Sequence, residues 1–140
     1  MEYYKESFVA ELDLENLVFK ELDVPYPEIY YDTHFGFRDI PTGTIGGDGK
    51  LNFTFSISSN LYQYSETEGQ VRAFGATSDF TDNMANELPI ADCTEASKAM
   101  KHNLLNVKYL QLLFDPYKNL YYRFHWGQVP ERKNDGNKFI

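Results

Sequence analysis

Four side chains have the types and spacing for proton transfer: Asp32 and His34 in YYDTHF, and Arg123 and His125 in YYRFHW. In a curved sheet, an acid, two imidazoles and a guanidinium could face one concave pocket walled by Tyr30, Phe37 and Tyr121. Such a site suits acid–base chemistry on a small ring-bearing substrate, or simple binding of that molecule. Asp32 and His34 also stand at i and i+2, which places two ligands on one face of a strand, so a metal shared with His125 is the related alternative. No G-x-S-x-G elbow is present to support a serine nucleophile. Enzyme or small-molecule carrier is therefore the second functional reading, and the first assigns no catalytic residue, no metal and no cofactor.

The stretch TGTIGGDGKLNFTF, residues 42–55, invites comparison with a phosphate loop. A Walker loop has four residues between its first glycine and its Gly-Lys pair, then Ser or Thr, then a helix. Here five residues separate Gly43 from Gly49, Leu51 follows Lys50, and the next segment alternates apolar and polar as a strand does. GDG reads instead as the turn of a hairpin, supplying backbone angles that glycine adopts without strain.

The third constellation is acidic. On a strand, Glu11, Asp13 and Glu15 would form a carboxylate row about 6 to 7 Å apart, comparable to the phosphates along one DNA strand. Glu66 and Glu68 add to it. Residues 1–95 hold 18 acids and 5 bases, net −13, and residues 96–140 hold 3 acids and 8 bases, net +5. An acidic body disfavours direct nucleic-acid binding, which needs Lys and Arg on phosphates. The basic and aromatic C-terminal part, with Lys108, Lys118 and Tyr117, is the weaker counter-signal. The leading expectation is a non-enzymatic acidic protein that binds and inhibits a basic protein partner, with a nucleic-acid-binding enzyme among the candidates, as immunity and phage anti-defence proteins do. Glu11, Asp13, Glu15, Glu66 and Glu68 would steer the encounter, Tyr62 and Tyr64 would anchor it, and Lys50 would mark a flexible rim. A structural or assembly protein is the third possibility.

One cysteine, Cys93, excludes an internal disulfide framework and fits a reducing compartment. The N-terminus carries acids where a signal peptide has bases, and no apolar run has membrane-spanning length, so a cytoplasmic location with no membrane partner is expected.

The elements that must position these groups are mostly strands. LNFTFSI puts Leu51, Phe53, Phe55 and Ile57 on one face, and LYQY and QVRAF continue a meander. VKYLQLLF and LYYRFHW flank the turn DPYKN, with Leu120, Tyr122, Phe124 and Trp126 on the core-facing side of the second strand. Strands are preferred over helix for residues 8–19, and VPYPEIYYDTHF is expected to run on as a strand. SDFTDNMANEL suggests a short helix closed by Pro89. DCTEASKAMKHNLLN predicts the main helix, about 93–106, capped by Asp92 with Glu95 and carrying an apolar stripe of Ala96, Ala99, Met100 and Leu104. The predicted fold is α+β: a curved, mostly antiparallel sheet of six to eight strands with that helix packed on it, in one domain over 1–126 followed by a polar tail over 127–140.

Overall fold

The structure, a computed structural model, describes residues 2–35 and 39–127. Among these, eight strands form three antiparallel sheets, confirming the α+β class with the strands divided rather than joined in one sheet. Strands β1 (Ala10–Asp13) and β2 (Val18–Glu21) make an N-terminal hairpin. A 3-10 turn (Glu2–Lys5) precedes it and helix α1 (Ile29–Asp32) follows. Strands β3 (Thr42–Ile45), β4 (Leu51–Thr54), β5 (Leu61–Ser65) and β6 (Gln70–Phe74) form the four-stranded meander in sequence order. After helices α2 (Ile90–Cys93) and α3 (Ala96–Leu105), strands β7 (Lys108–Asp115) and β8 (Leu120–Trp126) close the described chain as a second hairpin.

The glycine loop is the β3–β4 turn. Gly46 N–H donates to the Lys50 carbonyl at 2.9 Å and Gly49 N–H to the Gly46 carbonyl at 3.0 Å, with Gly49 at φ +77°. Gly43 is needed for a different reason, close approach. A Cβ there would lie 2.8 Å from the Asn52 carbonyl oxygen and 3.1 Å from the Phe53 Cβ, and neither neighbour can move without shifting β4. Gly43→Ala should therefore cost about 1 to 3 kcal/mol in urea denaturation, in line with overpacking against backbone.

Both faces of β4 are covered. Phe53, Phe55 and Ile57 are buried on one side, and Asn52 and Thr54 on the other. The first side meets an aromatic cluster supplied by the N-terminal third of the chain: Tyr4, Phe8, Tyr26 and Tyr30 join Phe53 and Phe55 with ring centroids 4.8 to 5.8 Å apart. Pairs at such separations add roughly 0.5 to 1.5 kcal/mol each beyond their burial. Over the second side Tyr121 and Asn52 crowd Gly46, and Phe114 lies against Gly47, so the β7–β8 hairpin packs on the meander's turn. Val107, Tyr109 and Leu112 complete that layer.

Several expectations are corrected. VPYPEIYYDTHF turns into helix α1 after Pro27, and the Tyr30 N–H bonds to the Pro27 carbonyl at 3.0 Å. SDFTDNMANEL forms no helix; its backbone is used across the fold instead, where Ala85 N–H donates to Ile57 at 2.7 Å. Pro89 begins α2 rather than closing a helix. Helix α3 starts at Ala96; Asp92 belongs to α2 and pairs with Lys98 at 2.7 Å instead of capping. Its expected stripe is not buried: Met100 and Leu104 are exposed, and no α3 side chain is fully buried. The C-terminal hairpin forms as predicted, but its faces are reversed. Leu120, Tyr122, Phe124 and Trp126 point outward, while Arg123 and His125 face the meander. A bulge between Tyr109 and Leu112 brings both of those residues inward, which simple alternation along β7 cannot do. The predicted tail from residue 128 onward lies outside the described residues.

Candidate functional site

The acidic N-terminal hairpin and the space beneath it gather more of the predicted contact residues than any other described region. Glu11 pairs with Lys20 across the ladder, and Asp13 pairs with Val18. Glu15 lies in the turn beyond β1, where its N–H donates to the Asp13 carboxylate at 2.8 Å, so the expected three-carboxylate row is shortened to two strand positions and a turn residue. The hydrogen bond from the Asn16 side chain, then those from the Asn16 and Glu15 backbone, hold the Asp13 carboxyl below its ordinary range. Lys20 Nζ sits 3.1 Å from Glu66 and 3.8 Å from Glu11, tying the hairpin to the β5–β6 turn. Glu68 is engaged by Arg72 at 2.9 Å.

Below the hairpin the chain is pinned. Residues 7–9 extend the ladder against 22–25 through Phe8 N–H to Val24 at 3.3 Å and Leu22 N–H to Val9 at 3.0 Å, and the Ser7 hydroxyl donates to the Leu22 carbonyl. Between this arm and the β3–β4 hairpin runs an open cleft in two contiguous parts. One, of about 580 Å³, is floored by Phe8, Tyr26, Leu51 and Phe53 and flanked by Glu6. The other, of about 510 Å³, is lined by Leu22, Ile45, Leu51 and Tyr64 and rimmed by Glu11, Asp48, Lys50 and Glu66. The two share Val9, Ala10 and Leu51. An apolar floor under a mostly acidic rim suits a cationic, amphipathic segment.

Lys50 lines that cleft 3.9 Å from Asp48. Tyr62 and Tyr64 are not solvent-facing anchors. Tyr62 stacks on Phe53 at 5.5 Å and 15°, and Tyr64 is buried, because both stand on the face of β5 that meets the aromatic cluster. The hairpin itself carries exposed apolar groups: Leu14, Leu17 and Phe19 are each more than 70% exposed. Leu17 also sits at φ +54°, a left-handed conformation costly for a leucine. The sequence signal for them was the turn tetrad LENL, which interrupts the strand alternation and so frees its leucines from the core.

The proton-transfer set is divided. Asp32 ends α1, so it and His34 do not share a strand face; the His34 carbonyl accepts from Leu88 N–H at 2.7 Å. Arg123 and His125 do come together, on the Tyr109 ring. The guanidinium carbon lies 4.4 Å from its centroid and the imidazole 5.9 Å. Arg123 is occupied by backbone, donating through Nη1 to Ser59 and through Nη2 to Ala76 at 2.5 Å. Tyr30 belongs to the core cluster, Tyr121 covers Gly46, and Phe37 lies outside the described residues. Among the described residues, no three His, Cys, Asp or Glu side chains are grouped to hold a metal.

A buried carboxylate that composition did not single out is Asp39. It accepts from Ser56 N–H at 2.9 Å and from the Tyr30 hydroxyl. Burial raises its carboxyl above the ordinary range, against the opposing pull of those hydrogen bonds, and burial followed by Asp39 itself raises the Tyr30 hydroxyl. Both groups lie inside the core, Asp39 2% and Tyr30 1% exposed.

Residues 1–139 match the family described as "Domain of unknown function (DUF4221)". No curated protein matches the chain. A solved crystal structure of a DUF4221 member from Bacteroides vulgatus ATCC 8482 superposes with a TM-score of 0.68 at 20% identity, over 94% of this chain. The chain spans 38% of the length of that structure. A likeness at this identity extends to the fold alone. No helix among the described residues is long and apolar enough to cross a membrane.

Proposed function

We propose, for a chain that belongs to the DUF4221 family, that it is a non-enzymatic binding module whose N-terminal hairpin engages and inhibits a basic protein partner. The observation that carries this reading is the hairpin tip, where Leu17 is 75% exposed at φ +54° beside the carboxylates of Asp13 and Glu15. Strained, unburied apolar side chains contribute nothing to folding; set among acids, they have the composition of a contact patch for an apolar surface ringed by Lys and Arg. The acids steer the encounter and Leu14, Leu17 and Phe19 supply the buried contact, the role assigned from sequence to Tyr62 and Tyr64. A basic segment of the partner laid in the cleft would pair with Glu11 and Glu66. Occlusion of a nucleic-acid-binding groove is the inhibitory mechanism this charge layout suits.

Two variants probe the contact, and the first separates it from stability. Leu17→Gly relieves the left-handed strain and should leave stability unchanged or raise it by about 1 kcal/mol, while weakening capture of the partner from the native host roughly tenfold. Glu11→Lys with Glu66→Lys should abolish capture. At ~0.5 M salt, where exposed charges are screened, the unmodified chain should lose most of it. Capture that survives all three conditions would discard the reading. The cleft also has the size and aromatic floor of a small-molecule site. That reading predicts ligand binding that is insensitive to Leu17→Gly and lost on Phe8→Ala.

A further inference from the structure

The β7–β8 hairpin has two unlike faces. The inner one holds Tyr109, Leu112 and Arg123 against the meander. The outer one carries Leu113, Leu120, Tyr122, Phe124 and Trp126, between 40% and 63% exposed, and nothing among the described residues covers it. We propose that this outer face is a self-association surface on which a second copy of the chain packs face to face about a two-fold axis.

Three observations select a second copy as the occupant. First, the centre of the face is apolar and its charges stand only at the two ends: on β8 the outward positions are Leu120, Tyr122, Phe124 and Trp126, Arg123 faces inward, and the β7 residues opposite Trp126 and Leu120 are Lys108 and Asp115. A chain of net charge −8 repels its own copies wherever its acids meet, so a self-association surface has to keep them few and balanced; this one carries one acid, Asp115, at one end and one base, Lys108, at the other. Second, the patch is self-complementary in kind, as an isologous contact requires: the same aromatic and aliphatic row meets itself. Third, the size is adequate. The exposed parts of these five side chains amount to on the order of 500 Å² per copy, and a specific interface needs roughly 1,000 Å² in total. Two such hairpins stacked about 10 Å apart with strands aligned would form a small sandwich, the ordinary way in which sheets bury one face against another.

Trp126 is the only tryptophan of the chain, so the contact reports on itself. The experiment is a dilution series of the unmodified protein from about 200 µM to about 1 µM, across which mass action should dissociate a dimer of moderate affinity. Molar mass is followed by sedimentation and Trp126 by its emission. The expected result is a dimer with blue-shifted emission at high concentration that gives way on dilution to a monomer with red-shifted emission, the two changes in step. Phe124→Glu should be monomeric throughout with unchanged far-UV circular dichroism, and Leu17→Glu, on the N-terminal hairpin, should dimerise like the unmodified chain. A monomer at every concentration overturns the proposal, as does a dimer that forms without change in Trp126 emission or one that persists in folded Phe124→Glu. If Phe124→Glu does not fold, the dilution series of the unmodified chain decides.

Discussion

Replacing Asp39 by alanine should remove about 3 kcal/mol of stability at neutral pH and lower Tm by roughly 10 °C, read by urea denaturation and thermal circular dichroism. The carboxylate is 2% exposed and serves two buried donors, the Tyr30 hydroxyl and the Ser56 N–H. Alanine removes both acceptors and leaves a gap beside Tyr30, which is itself 1% exposed and in ring contact with Tyr4, Tyr26, Phe35 and Phe55. At this burial each orphaned donor carries a cost of about 1 to 3 kcal/mol. Asp39→Asn keeps one acceptor oxygen for Tyr30 and should cost about 1 kcal/mol. Equal destabilisation by the two variants would show that charge, rather than donor satisfaction, holds this corner of the core.

The same pair sets a pH dependence with a definite sign. Because burial raises the Asp39 carboxyl in the folded state, the native chain keeps a proton that the unfolded chain has released. The stability this contributes is fully present below about pH 4, the unfolded value, and is lost as pH rises through the folded value. Asp39→Asn should flatten that decline. The Tyr30 hydroxyl is raised as well, by burial first and by Asp39 second, so its contribution holds below about pH 10 and is lost above it. Tyr30→Phe should reduce alkaline unfolding specifically.

The legible parts of this fold were those governed by local periodicity and turn chemistry. LNFTFSI, GDG and DPYKN placed the meander and the C-terminal hairpin because alternation and turn residues act over a few positions. What was not legible depended on partners distant in sequence. Both faces of β4 are covered, so the polar side, Asn52 and Thr54, is as enclosed as the apolar one, and alternation no longer tells inside from outside. On β8 the more apolar row faces out for a related reason: the meander offers the carbonyls of Ser59 and Ala76, which only a donor such as Arg123 can satisfy. The acidic hairpin was legible as a charge pattern. Its exposed apolar groups were not, since tyrosines suited to interfaces by type were drawn into the core by β5, and the leucines of the turn were left outside.

Arg123→Ala is the second substitution with a large expected effect, a loss of about 2 to 3 kcal/mol, because it removes a charged donor that satisfies two backbone carbonyls between separate loops. Ser59 follows the meander's second strand and Ala76 follows its fourth, so a single guanidinium ties both loop regions to β8 while lying flat on Tyr109. Arg123→Lys should recover less than half of the loss. An ammonium cannot present two donors in one plane to two carbonyls, nor stack on the Tyr109 ring as the guanidinium does. The measurement is urea denaturation of both variants, joined to hydrogen exchange at Gly75 to Ser78, where protection should fall in each. Had Arg123 been a substrate-binding group in the proton-transfer site, replacement would leave folding intact and alter only ligand affinity. A stable Arg123→Ala with unchanged exchange in that loop would therefore return Arg123 and His125 to the enzymatic alternative, and a destabilised one assigns Arg123 to the clamp that holds the C-terminal hairpin on the meander.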